Sequence, residues 1–174
     1  MLDTELCSCR YTTVDAGGYQ VSWGAYAYRR GLEYSLTSDD PAITLFLQLR
    51  GLGERIASDR GDTRAVRAGH ANLAVTPATT ARFEARRDVD GATFEVLFSR
   101  RYFTGLAMRH PRLLEHFAHA LEQNRFAALP ASVPITPEMW GIAQRLQRTP
   151  DAGRAGSLLL ESTVTQLVAL LLGQ

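Results

Sequence analysis

Apolar and polar residues alternate with a period of two through the first hundred positions and with a helical period after them, so the chain predicts strands followed by helices. Tyr19, Val21, Trp23 and Ala25 alternate with Gln20, Ser22, Gly24 and Tyr26, the pattern of a strand with one buried face. Leu32, Tyr34 and Leu36 repeat it before the turn residues Ser38-Asp39-Asp40-Pro41, which predicts a hairpin. Ile43, Leu45, Leu47 and Leu49 share a side, while Phe46 stands on the other between Thr44 and Gln48. Both faces of this strand are therefore expected to be covered, which makes it central. Short strands follow over 54–57, 63–67 and 71–75, separated by Gly51, Gly53 and the polar run 58–62. Ala81, Phe83 and Ala85 then lead through the turn Asp90-Gly91 to Phe94, Val96 and Phe98. Roughly eight short strands at this spacing predict a small jelly roll rather than an alternating α/β fold.

Beyond Ser99, a candidate helix cap, residues 101–107 turn helical. Pro111 suits a first helical turn, and Leu113, Leu114, Phe117, Ala118 and Leu121 make the apolar stripe of a helix that ends by Pro130. Thr136-Pro137-Glu138-Met139 reads as a helix start, with threonine as cap, proline in the first turn and glutamate facing the helix dipole. That helix is expected to bury Met139 or Trp140, Ala143 and Leu146 and to end near Thr149-Pro150, with Asp151-Ala152-Gly153 as a short loop.

The last helix, 157–172, is apolar on nearly every side. Leu160, Val164, Leu167 and Leu171 follow a four-three-four spacing, the seam of two helices packed side by side. They predict a homodimer interface, leaving Leu159, Val168, Leu170 and Leu172 to cover the barrel. The plainer alternative is that all of them cap one core. The fold class expected is thus α+β, a β-sandwich or jelly-roll barrel over residues 1–100 followed by a helical dimerisation segment over 101–174, together one compact domain.

A chain of 174 residues suits one domain with a real core. With 45% hydrophobic and 21% charged residues and no run long enough to cross a bilayer, it reads as an ordinary globular protein without a membrane partner. The polar start MLDTELCSCR has no signal-peptide core, so the expected location is cytoplasmic and the expected N-terminus is frayed. Net charge is +1 and the 19 basic residues, all arginine, are dispersed, which argues against a nucleic-acid footprint on this segment. Cys7 and Cys9 are too close to bridge easily, and reduced thiols are the expected reading.

Candidate chemistry is one of binding. Trp23, Tyr34, Phe83 and Phe94 fall on the sides that alternation assigns to the barrel lumen, where an apolar or mixed small ligand would sit; core filling is the plainer role for each. Tyr26 and Tyr28 lie opposite and are expected to support the helices. Arg50 or Arg82 at a strand end is suited to an anionic ligand group, and His70 is the one histidine of the strand region. A single histidine does not make a barrel metal site, His116 and His119 read as a solvated helix face, and no phosphate loop or nucleophile elbow is present, so neither a catalytic residue nor a metal or other cofactor is expected.

The run Ile43-Thr44-Leu45-Phe46-Leu47-Gln48-Leu49-Arg50-Gly51, the segment Gly69-His70-Ala71-Asn72-Leu73 with Pro77, and Phe94-Glu95-Val96-Leu97-Phe98-Ser99 before Tyr102-Phe103 resemble the N-terminal regulatory half of AraC/XylS-type transcription regulators. Pro134-Ile135-Thr136-Pro137-Glu138-Met139 and Leu160-Glu161-Ser162 resemble most the PchR-type branch, which senses siderophores and related molecules. The resemblance implies a cupin-like barrel that binds a small-molecule effector, helices that pair two protomers, and a C-terminal helix-turn-helix half, expected after Gln174 and absent here, through which alone DNA is read. The rival expectations are a cupin-type enzyme using His70 with a metal, and a stand-alone carbohydrate- or lipid-binding module.

Overall fold

In the computed structural model, strands occupy the chain up to Phe98 and helices dominate from Arg100 onward. The structure describes residues 2–51, 55–58, 63–64, 67–78, 80–85, 87–148 and 153–174; at 2–3, 32, 34–36, 55–58, 63–64, 80–85 and 153–157 the description is of the backbone. Of the sequence expectations, Gly53, Glu54, the turn at 59–62 and the loop residues 149–152 lie outside the described residues.

The strands are β1 (Leu2–Asp3), β2 (Cys7–Asp15), β3 (Tyr19–Tyr28), β4 (Leu32–Thr37), β5 (Ala42–Arg50), β6 (Arg55–Ser58), β7 (Thr63–Arg64), β8 (His70–Thr76), β9 (Thr80–Ala85) and β10 (Val89–Phe98). Helices α1 (Arg100–Arg109) and α2 (Pro111–Glu122) follow, then the short strands β11 (Ala127–Ala128) and β12 (Val133–Pro134), and helices α3 (Pro137–Gln147) and α4 (Gly153–Leu172). Antiparallel pairs form between first and last: β3 with β10, β4 with β9, β5 with β8, β6 with β7. From β3 to β10 the two arms of this hairpin cross between a large sheet, ordered β1-β2-β3-β10-β5-β8-β11 with β12 also paired to β8, and a small one, ordered β4-β9-β6-β7, which holds the hairpin's tip. A long hairpin wound in this way is a jelly roll, so the α+β class with a jelly-roll barrel and C-terminal helices stands.

The chain start corrects one expectation. Residues 7–15 are an ordered strand paired with β3 from Cys7↔Tyr28 to Asp15↔Gln20, not a frayed end. A strand on the rim of a sheet is held by backbone hydrogen bonds, which its polar composition does not reveal.

Four helices cover one face of the large sheet. Ser99 caps α1 by accepting from the Tyr102 amide at 3.2 Å, and Thr136 caps α3 by accepting from Met139 at 3.2 Å, with Pro137 in the first turn. Phe103, Leu106, Leu114, Phe117, Met139, Ile142 and Leu146 meet the sheet in one core, whereas Trp140 stays 40% exposed. Leu160, Val164, Leu167 and Leu171 are in that same core, between 0% and 8% exposed, and Val168 with them. The four-three-four seam therefore packs inside its own protomer. Leu158 and Leu159, at 71% and 57%, are the exposed leucines of α4. The spacing is common to both outcomes: a helix laid on a sheet and α3 needs the same stripe as one laid on a second helix.

Candidate functional site

Residues directly opposite one another on neighbouring strands share a face, so strand register assigns the two sides of the large sheet. One side carries the rows Tyr19–Phe98–Ile43–Val75, Val21–Val96–Leu45–Leu73 and Trp23–Phe94–Leu47–Ala71. All of these pack in the core that holds the helices. The side turned away carries Ser22–Glu95–Phe46–Asn72 and Gly24–Thr93–Gln48–His70, with Tyr11 of β2 opposite Gly24 and Cys9 opposite Tyr26.

Part of this second face is buried yet polar. Gln48, Asn72 and Thr93 are 1%, 3% and 7% exposed. Leaving a buried amide unpaired costs about 1–3 kcal/mol, so each needs partners. The Gln48 amide donates to the Tyr26 hydroxyl at 2.9 Å and to the Arg50 carbonyl at 2.7 Å. The Tyr11 hydroxyl lies 3.4 Å from Thr93 Oγ1. Asn72 is occupied structurally: its Oδ1 accepts from the Leu129 amide and its Nδ2 donates to Ser132, fastening the segment between β11 and β12 to β8. Gly24 and Gly91 make room for aromatic rings, because a Cβ at either would collide with the cross-strand Tyr11 or Tyr26 ring.

The residues singled out from sequence divide between the two faces. Phe94 is fully buried and Trp23 partly buried on the helix-facing side, so alternation was right about their burial and the structure corrects the side. His70 is half-buried on the face turned away, with Nδ1 3.1 Å from the Ala68 carbonyl. Arg50 ends β5 at the edge of that face and pairs with Asp90 at 3.1 Å, both exposed. The backbones of Tyr34 and Phe83 pair directly in the small sheet, and their side chains, with that of Arg82, lie outside the described residues. Tyr26 and Tyr28, expected beneath the helices, instead pack with Cys7 in a separate small cluster. Gln48, Thr93 and Tyr11 are the residues sequence reasoning passed over, and Tyr26 was given a different role. The signal available was Phe46 flanked by Thr44 and Gln48 within an otherwise apolar strand. His116 and His119 are exposed, and among the described residues no group of three or more His, Cys, Asp or Glu is placed to hold a metal ion.

A second polar feature sits under the helices. Tyr19 of β3 and Tyr102 of α1 pack with ring centroids 5.2 Å apart, and Tyr102 stacks on Phe98 at 6.0 Å. A Cβ at Gly18 would meet the Tyr102 ring, so that glycine admits it. Both hydroxyls are buried and, among the described residues, have no hydrogen-bond partner, although Glu161 and Thr165 of α4 stand beside that of Tyr102. Burial raises the Tyr19 phenol well above its ordinary value of 10.0, with Tyr102 and Glu161 adding to the effect. Tyr102 is raised too, mainly by burial, with Glu161 pushing up against the opposite pull of Thr165 and Arg109.

Residues 14–174 match the family described as the regulatory protein PchR N-terminal domain. The chain belongs to that family. The match bears out the resemblance to the PchR-type branch carried by the motifs at the start of α3 and in α4, and makes this a regulatory domain. No curated protein matches the sequence. Among solved structures, this regulatory domain is similar to the AraC-like transcriptional activator CuxR, at 13% identity and TM-score 0.46 over 94% of this chain and 62% of the activator. It is also similar to ectoine synthase from P. lautus, at 17% identity and TM-score 0.40 over 56% and 67% of the two chains. A third is a cupin 2 conserved barrel domain protein from Salinispora arenicola CNS-205, at 16% identity and TM-score 0.40 over 59% and 85%. No helix of the described residues is long and apolar enough to cross a membrane.

Proposed function

We propose that this chain is the effector-sensing and dimerisation domain of an AraC-type transcription regulator, acting in the cytoplasm as a regulator rather than as an enzyme. The match of residues 14–174 to a regulatory-domain family carries the reading. In it, residues 1–100 form a cupin-like effector barrel and 101–174 a helical dimerisation segment that passes the signal to an attached DNA-reading half. The effector surface is the sheet face turned away from the helices, where Tyr11, Tyr26, Gln48, Thr93 and Glu95 offer hydrogen bonds around Phe46, with His70 and Arg50 at its margin and Tyr34 and Phe83 on the small sheet. A ring-bearing, hydrogen-bonding small molecule of siderophore-like kind suits such a lining. Pairing moves from the buried seam to the exposed side of α4, where Leu158, Leu159, Ser162 and Ala169 face solvent. The effector controls the output by binding one arrangement of sheet and helices more tightly than the other.

Native mass spectrometry of the chain after exposure to a bacterial metabolite extract tests the effector site. One small molecule is expected to stay bound, to be lost in Gln48→Leu and Thr93→Val, and to survive Trp23→Phe; retention of nothing, or loss in Trp23→Phe alone, refutes the assignment. Sedimentation tests pairing. A dimer that dissociates when Leu158 and Leu159 are both replaced by Glu is expected, and a monomer at every concentration, or a dimer indifferent to the change, defeats it.

A further inference from the structure

Helix α4 is softened where it crosses the two unbonded tyrosine hydroxyls. Ser162 Oγ and Thr163 Oγ1 both donate to the Leu159 carbonyl, at 3.0 and 2.6 Å, and Thr165 Oγ1 donates to the Glu161 carbonyl at 2.8 Å. Hydroxyls that bond back onto carbonyls of the preceding turn compete with the helical ladder and favour bending. The same stretch leaves Leu158 and Leu159 exposed, while Leu160 and Val164 within it and Leu167 and Leu171 beyond it are held in the core. Beneath this turn, the hydroxyls of Tyr19 and Tyr102 are buried and, among the described residues, without hydrogen-bond partners, a cost that calls for an explanation. Glu161, on this turn, is the charged group that bears on both phenols, with Thr165 also beside Tyr102.

We propose that α4 hinges over residues 159–165 and that Tyr19 and Tyr102 are its latch: a small bend brings the Glu161 carboxylate onto the two hydroxyls, re-aiming the start of α4 while its end stays docked. The device belongs to the fold and needs no effector, so it stands or falls separately from the binding reading above. It gives the chain two arrangements that differ at the exposed side of α4. Any ligand or partner with unequal affinity for the two can then select between them.

Hydrogen exchange on the whole chain tests the hinge. Replacing both latch residues, Tyr19→Phe with Tyr102→Phe, removes what favours the bend, so amides at 159–166 are expected to exchange about fivefold more slowly than in the parent. Amides of α2 should not change, which separates the effect from a shift in global stability. Glu161→Ala, with both tyrosines intact, is expected to produce the same slowing, and Tyr102→Phe alone carries the test if the double variant does not fold. Unchanged or faster exchange at 159–166 in the tyrosine variants overturns the hinge. Slowing there without slowing in Glu161→Ala overturns the assignment of Glu161 as acceptor.

Discussion

The two faces of the large sheet are made by the same four strands and answer to different physics. Toward the helices, Val21, Ile43, Leu45, Leu47, Leu73, Phe94 and Val96 are nearly or fully buried and contribute through apolar area and close packing. Away from them, burial falls on Gln48, Asn72 and Thr93, which are tolerated because specific groups satisfy them. The first face is tolerant of chemistry and sensitive to volume. The second is sensitive to hydrogen bonding as well as to fit, since Gly24 and Gly91 leave no room for a Cβ beside the Tyr11 and Tyr26 rings, and dependence on specific hydrogen bonds is the property a recognition surface requires.

Substitutions that respect or violate this division break or sharpen it. Phe94→Ala opens a cavity where sheet and helices meet and should lower unfolding free energy by about 4 kcal/mol in a denaturant titration. A loss below about 1 kcal/mol would mean the ring is not core and would return it to the ligand surface. Leu167→Ala should cost about 3 kcal/mol, independently of protein concentration because the side chain is buried within one protomer. A cost that grows on dilution would restore the seam to the interface between protomers. On the other face, Gln48→Leu conserves bulk but removes the donor to Tyr26 and to the Arg50 carbonyl, with an expected loss of about 1–2 kcal/mol. Added to Tyr26→Phe it should cost less than the two singles summed, since they share one hydrogen bond.

The smallest effect expected is alkaline. The unfolded chain ionises Tyr19 near 10.0, and the folded chain only at higher pH because burial opposes the phenolate. Stability from this group is therefore complete below pH 10 and declines as pH rises toward the folded value. Denaturant midpoints followed upward from about pH 9 should show that decline in the parent and a shallower one in Tyr19→Phe. Identical slopes would mean that the hydroxyl is solvated in the fold.

Local signals in the sequence were specific where local chemistry sets the structure. The alternation in β3, β5 and β10, the Ser99 and Thr136 caps and the Pro137 helix start all appear where their residues predict them. The family motifs were legible too, since they are runs of neighbouring residues. Helix α4 begins at Gly153 rather than Ser157, because its apolar pattern becomes visible only from Leu158. Strand β2 escaped notice because its stability comes from the β3 backbone and not from its own side chains.

By itself, then, the sequence determined the order of elements, the residues that leave water and the family they belong to, all of which follow from period, capping and local motif. Only the tertiary structure decided the side. Alternation separates two sets of residues on a strand without saying which set meets the helices, and a leucine stripe demands a partner without naming it. Trp23 and Phe94 went to the helices, Gln48 and Tyr26 to the other face, and Leu160, Val164, Leu167 and Leu171 to their own core. Burial is encoded residue by residue, whereas the identity of the burying surface is a property of the whole assembled chain.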